Sequence, residues 1–183
     1  MGAGDEADLL SGAKAGDAGA LAQLWTRHNA AVLRYLRVVV GHDDAEDVAA
    51  EAWIDAARNL RRFQGDDDAF GAWLFTIVRR RVIDHRRRQA RRPDGAGNLV
   101  VDRTSSGPTS DELVQEAMAT GRAARFICEA LSPDQADAVV LRTLAGLTTS
   151  EVASVLAKRE GAVRVLLHRG LKRLADRIPE GGV

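Results

Sequence analysis

Residues 148–178 read TTSEVASVLAKREGAVRVLLHRGLKRLADRI. Thr148 with Glu151 after it is a capping box, in which each side chain satisfies a free backbone N–H near the other and opens a helix. That helix is short, to about Ala157. Lys158-Arg159-Glu160-Gly161 reads as a turn, and a longer basic helix follows to about Ile178, before Pro179. A short helix, a turn containing Gly161 and a longer helix make the helix-turn-helix layout. Val152, Val155 and Leu156 can pack against Val163, Leu166 and Leu167, and against Gly170, Leu171 and Leu174 beyond them. Arg159, Glu160, Arg164, His168 and Arg169 are left to face outward. A second helix so placed offers its N-terminal residues to base edges in the major groove, while flanking Lys and Arg hold phosphates. The rival is a helical hairpin whose arginines are merely solvated. The seven Lys and Arg of residues 158–177, against Glu160 and Asp176 alone, favour DNA.

Upstream, Ser132-Pro133 is a helix start with Gln135 closing a second capping box, and that helix ends around Gly146. Residues 93–110, PDGAGNLVVDRTSSGPTS, hold no sustained period and read as a flexible tether. Before it, one helical stretch is expected from about Glu6 to Val40, with Asp17 after Gly16 as a cap; Gly41 ends it. Asp43 with Glu46 is expected to open the next helix, to about Leu60. Asp67 or Asp68 is expected to cap a third, with Phe70, Trp73, Leu74 and Ile77 at i, i+3, i+4 and i+7. Nothing alternates with period two for long enough to suggest a sheet. The expected fold is all-α: two small helical domains, residues 1–92 and 113–183, joined by a flexible linker over 93–112, the second domain containing the helix-turn-helix.

The 183 residues carry 26 Lys+Arg and 26 Asp+Glu, so the net charge is zero, but the charges are sorted along the chain. Residues 43–68 hold nine acids against Arg58, Arg61 and Arg62, and residues 79–92 hold eight arginines against Asp84 alone. Sorting of this kind implies basic surfaces for a polyanion and an acidic surface for a basic partner. Asp44, Asp47, Glu51 and Asp55 fall on one stripe of the second helix. Such carboxylates repel one another unless something basic lies against them, and a protein partner with a basic surface would explain all four. A metal site built from His42, Asp43, Asp44, Glu46 and Asp47 competes, without a second ligand-bearing helix to close it. In the third helix, Arg79 and Arg86 are expected opposite the Phe70/Trp73/Ile77 stripe, with Phe63, Gln64 and Phe70 able to receive an unpaired base. Phe70 is equally readable as a core plug.

With Cys128 alone there is no internal disulfide, and its neighbours Phe126 and Ile127 suggest a core position. Apolar runs such as Val38–Val40 fall far short of the roughly 18–20 residues that span a bilayer. A cytoplasmic protein without direct membrane insertion is expected.

The run from Asp44-Ala45-Glu46-Asp47-Val48 through Glu51, Phe63, Phe70-Gly71-Ala72-Trp73-Leu74 and on to Ile83-Asp84 resembles the second conserved region of bacterial RNA polymerase sigma factors. Leu131-Ser132-Pro133, Glu151-Val152-Ala153, Glu160 through Arg164 and His168-Arg169 resemble the fourth. These two regions with a short linker are similar to the extracytoplasmic-function (ECF) group. The resemblance implies that Asp44, Asp47, Glu51 and Asp55 dock on the coiled coil of the largest subunit of core RNA polymerase. It implies that Arg61, Arg62, Phe63, Gln64 and Phe70, with Arg79, Arg80, Arg86 and Arg87, recognise and open a −10-type promoter element. Arg159, Glu160, Arg164, His168, Arg169 and Lys172 would read a −35-type element in duplex DNA. An anti-sigma factor is an implied partner. No cofactor, metal or catalytic residue is implied.

Some positions depart from the family pattern. Ala50 stands where Gln is common, Arg80 where Asn is frequent, and Ala162, Val165 and Leu166 replace polar residues of the recognition helix. Two rivals remain: a helix-turn-helix regulator that never touches polymerase, which leaves the acidic stripe idle, and a metal-dependent hydrolase using His42 and the 43–47 carboxylates.

Overall fold

The computed structural model describes residues 3–91 and 122–177, which are helix and turn with no strand among them. The expected linker over 93–112 lies outside the described residues. The long first helix is two: α1 (Ala3–Ala15) stops at Gly16, whose φ of +95° only glycine adopts without strain, and α2 (Ala18–Val39) follows. Asp17 caps α2, its carboxylate accepting from Ala20 N at 3.0 Å. Gly41 (φ +92°) leads into α3 (His42–Asn59). The expected Asp43–Glu46 box does not form, because α3 begins at His42 with Gly41 in the cap position and no side-chain cap bond. Asp43 and Asp44 therefore sit in the first turn, against the positive end of the helix dipole. A 3₁₀ turn (Leu60–Arg62) leads to α4 (Asp67–Ala90), and its cap is Asp66 rather than Asp67 or Asp68, accepting from Ala69 N at 3.0 Å.

The second described stretch holds α5 (122–130), α6 (Pro133–Thr143), α7 (Thr149–Leu156) and α8 (Glu160–Ala175). Gln135 Oε1 accepts from Ser132 N at 3.2 Å, closing the start of α6. At α7, Thr148 N donates to Glu151 at 2.6 Å and Glu151 N to Thr148 Oγ1 at 3.2 Å. The α7–α8 turn is tighter than expected. Ala157 takes the left-handed conformation (φ 51°), and Gly161 already lies inside α8. α8 ends at Ala175, short of Ile178, which lies outside the described residues.

α4 organises the packing. Phe70 and Leu74 turn to one side, and Phe75, Val78 and Val82 form a second buried stripe. With two apolar faces, α4 packs on α2 and α3 and also on α7, while α2 meets α6. One hydrophobic core runs from Leu24 and Val32 through Phe75 and Val78 to Val140 and Val152. The two expected units are therefore packed against each other. Small helical units bury limited cores alone; α2 covers Phe75 through Tyr35, and α7 of the other half packs on α4 as well. At about 100° per residue, Arg79 and Arg86 share the face of Phe75 and Val82, which corrects the expectation that they project away from the core.

Candidate nucleic-acid interface

α8 is held by its inner face. Val163 and Gly170 are its buried residues, and a Cβ built on Gly170 would lie 2.9 Å from Val139 Cγ2 of α6. The absence of a side chain at Gly170 sets how closely α8 lies on α6. Arg159, Glu160, Arg164, His168, Arg169 and Lys172 are all exposed, so the structure gathers the whole expected duplex-reading set on solvent. Glu160 and Arg164 pair at 2.6 Å along the helix. Leu171, expected to pack inward, is instead 49% exposed.

The expected −10 set divides. Arg61, Arg62, Gln64, Arg80 and Arg87 are exposed. Arg79 is not available: its Nε donates to Asp137 at 3.2 Å and an NH2 group lies 3.9 Å from Asp134. Arg86 donates to the Val39 carbonyl at 3.1 Å, where it caps the end of α2. Phe70, 1% exposed, is core and cannot receive a base. Phe63 is half-buried over Trp73 (centroids 4.8 Å apart) and edge-on to Phe70 (6.0 Å). A Cβ on Gly65 would come within 2.5 Å of Phe63 Cζ, so Gly65 is what lets this ring fold under the loop. Sequence reasoning passed over Gly65, because a glycine in a polar loop is unremarkable until its neighbour is known.

Three of the four carboxylates of the acidic stripe are paired inside the chain. Asp44 pairs with His85 at 3.2 Å, Glu51 with Arg88 at 3.0 Å and Arg81 at 3.4 Å, and Asp55 with Arg81. The Arg88 hydrogen bond holds the Glu51 carboxyl below its ordinary range. The basic surface that these carboxylates require is this chain's own α4. Of the four, Asp47 alone is exposed and unpaired. The face of α3 that meets solvent is Asp43, Glu46, Asp47, Ala50 and Ile54, the last 51% exposed. It borders an apolar groove of about 280 Å³ walled by Trp25, Trp53, Ala57 and Leu60. The spacing of residues 43, 47, 50 and 54 carries that face in the sequence; attention to charge alone hid it. Among the described residues no group of three His, Cys, Asp or Glu is arranged to hold a metal, and the 42–47 residues do not converge on one.

Residues 24–92, from α2 through α4, match the Sigma-70 region 2 family, and residues 124–174, from α5 through α8, match Sigma-70 region 4. The chain is 30% identical over 179 residues to the ECF RNA polymerase sigma factor SigD of Mycobacterium tuberculosis, covering 95% of this chain and 84% of SigD. This chain belongs to the ECF RNA polymerase sigma factors. The sigma factor is also 32% identical over 174 residues to BldN of Streptomyces coelicolor, covering 94% of this chain and 66% of BldN, a little under two thirds of that protein's length. Its fold matches CnrH, solved in complex with the cytosolic domain of CnrY, at a TM-score of 0.74 with 22% identity, covering 97% of this chain and 99% of that one. It also matches RpoE, solved with the anti-sigma factor NepR from Bartonella quintana, at 0.65 with 19% identity, covering 85% and 94%. A sigma factor confers promoter-specific transcription initiation on RNA polymerase, and that is the function of this family. No described helix is long and apolar enough to cross a membrane.

Proposed function

We propose that this ECF sigma factor docks on core RNA polymerase through the outward face of α3 and reads promoter DNA with two separate basic surfaces. Asp43, Glu46, Asp47, Ala50 and Ile54 form the docking face, an acidic end followed by an apolar one. Residues 1–92 act as the region 2-like unit, in which Arg61, Arg62 and Gln64 with Arg80 and Arg87 of α4 contact a −10-type element and Phe63 supports the loop. Residues 113–183 act as the region 4-like unit, which presents α8 to a −35-type element. The single observation that carries this reading is the face of α8, where every polar residue expected to meet DNA is exposed opposite the buried Val163 and Gly170. The protein acts in the cytoplasm, without catalysis of its own. An anti-sigma partner is suggested by likeness to RpoE, solved with the anti-sigma factor NepR.

Co-elution of the chain with sigma-free core polymerase on a sizing column tests the docking face. The double variant Asp47→Arg/Ile54→Glu is expected to lose co-elution, while Glu51→Gln, on the α4-facing side, retains it. The reverse pattern would return docking to the inner stripe and overturn this assignment.

A further inference from the structure

A buried carboxylate joins the two halves of the molecule. Asp137, in the middle of α6, is 3% exposed. Its Oδ1 accepts the Tyr35 hydroxyl of α2 at 3.2 Å, and its Oδ2 accepts Arg79 Nε of α4 at 3.2 Å. A buried charge persists only when it is paired and hydrogen-bonded. Both partners of Asp137 come from the other half of the chain, so this side chain is satisfied only while the halves are packed. Tyr35 is fully buried, and burial together with the Asp137 charge pushes its phenol well above its ordinary range, keeping it a donor.

Further polar contacts cross the same seam. Asp134, one turn before Asp137, lies 3.9 Å from Arg79 across the seam and holds Lys158 of its own half at 2.9 Å. Arg34 of α2 donates to the Leu144 carbonyl at 3.1 Å, and the Cys128 thiol to the Val38 carbonyl at 3.4 Å. Arg79 belongs to the arginine tract of α4, and the two α6 carboxylates offer it charge-assisted acceptors of the kind a phosphate offers.

Distance gives the packing its meaning. Elements centred near −10 and −35 lie about 25 base pairs apart, roughly 85 Å of duplex at 3.4 Å per pair. A compact chain of this size has a radius of gyration near 16 Å, hence a diameter of about 40 Å. The packed molecule cannot reach both elements at once.

We infer that the packed arrangement is a self-inhibited resting state latched by Asp137, in which α6 occupies Arg79 and the two DNA-reading surfaces are held too close together to span a promoter. The inference rests on the promoter-binding reading of α4 and α8. Opening the latch returns Asp137 and Arg79 to water and adds Arg79 to the exposed cations of α4.

Small-angle scattering of the full chain, paired with anisotropy of a labelled random-sequence single-stranded 20-mer, tests this without polymerase. Wild type is expected to scatter as a compact particle. Asp137→Ala is expected to raise the radius of gyration by about a third with unchanged helix content by circular dichroism, and to bind the oligonucleotide several-fold more tightly. The charge-swapped pair Arg79→Asp/Asp137→Arg is expected to compact again. Tyr35→Phe, which removes one hydroxyl, is expected to expand the chain less, and it carries the test if Asp137→Ala loses helix content. An already expanded wild type, or Asp137→Ala as compact as wild type, would overturn the latch. Expansion with unchanged oligonucleotide affinity would overturn the masking of Arg79. Failure of the promoter-binding reading itself would look different: no variant would bind the oligonucleotide, while the size differences stood.

Discussion

On α4, Arg79 reaches Asp137, Arg81 reaches Asp55 and Glu51, Arg86 reaches the Val39 carbonyl and Arg88 reaches Glu51. On α8, Arg169 and Lys172 are exposed with no bond inside the described chain, and Arg164 reaches only Glu160 on its own helix. Both helices are basic, yet α4 commits Arg79, Arg81, Arg86 and Arg88 to the fold and leaves Arg80 and Arg87 exposed, while α8 ties Arg173 to Gln135 and leaves its other cations facing solvent. The difference follows from what each helix packs against. α4 lies between an acidic helix and two carboxylates of α6, so Arg79, Arg81 and Arg88 are met by the chain's own anions. α8 rests on the fold through Val163 and Gly170, and among the described residues the one acid paired with a cation of its outer face is Glu160. Arginine density alone therefore does not mark a nucleic-acid surface. In the proposed reading, the arginines without an internal partner do.

The largest effect that would test this contrast is on the scaffold. Phe75→Ala removes a ring that is 1% exposed at the seam between α4 and α2 and is expected to cost about 3–5 kcal/mol by urea denaturation. Leu171→Ala, on the outer half of α8, is expected to change stability by less than about 0.5 kcal/mol. Similar losses for both would mean that α8 is more deeply seated than its exposure implies.

Next in size is recognition. Arg164→Ala is expected to leave melting unchanged and to weaken binding to the cognate duplex by about 1–3 kcal/mol if Arg164 reads a base. An equal loss on unrelated sequences would make it a phosphate contact.

The smallest effect concerns the ion pairs of α3 with α4. Glu51 has a folded pKa depressed by Arg88, so its contribution to stability is present above the ordinary carboxylate value of about 4.3 and is lost as pH falls through the folded value. Wild type is expected to lose stability more steeply than Glu51→Gln below about pH 4.5. Parallel pH profiles would show the pair to be idle.

Much of the fold was legible because its signals are local. The capping boxes at Ser132 and Thr148 each involve residues three apart, and both form. The exposed set on α8 needed only helical periodicity. What was not legible depended on partners distant in sequence. The regular spacing of Asp44, Glu51 and Asp55 correctly implied a basic counterpart, but periodicity cannot say whether it is another protein or a helix thirty residues further on. The second apolar stripe of α4, Phe75, Val78 and Val82, was masked by the more regular Phe70/Leu74/Ile77 pattern, and with it the packing of one half on the other. The Tyr35–Asp137 contact spans 102 residues and leaves no local trace. Gly16 was in plain view, but only its positive φ shows that it divides the first helical stretch.

The close seating of α8 at Gly170 bears on how such a protein diverges. The residues that fix the helix in place, Val163 and Gly170, are not among those that face outward. Substitutions on the outer face are therefore invisible to the core, and, if α8 reads DNA as proposed, a duplicated gene can acquire a new promoter preference by drift at Arg159, Arg164 or His168 while inheriting its scaffold intact. A side chain at Gly170 would instead meet Val139 and shift every outward residue together. On that reading, target choice and foldability are separately heritable, and Gly170 is one of the positions that keeps them so.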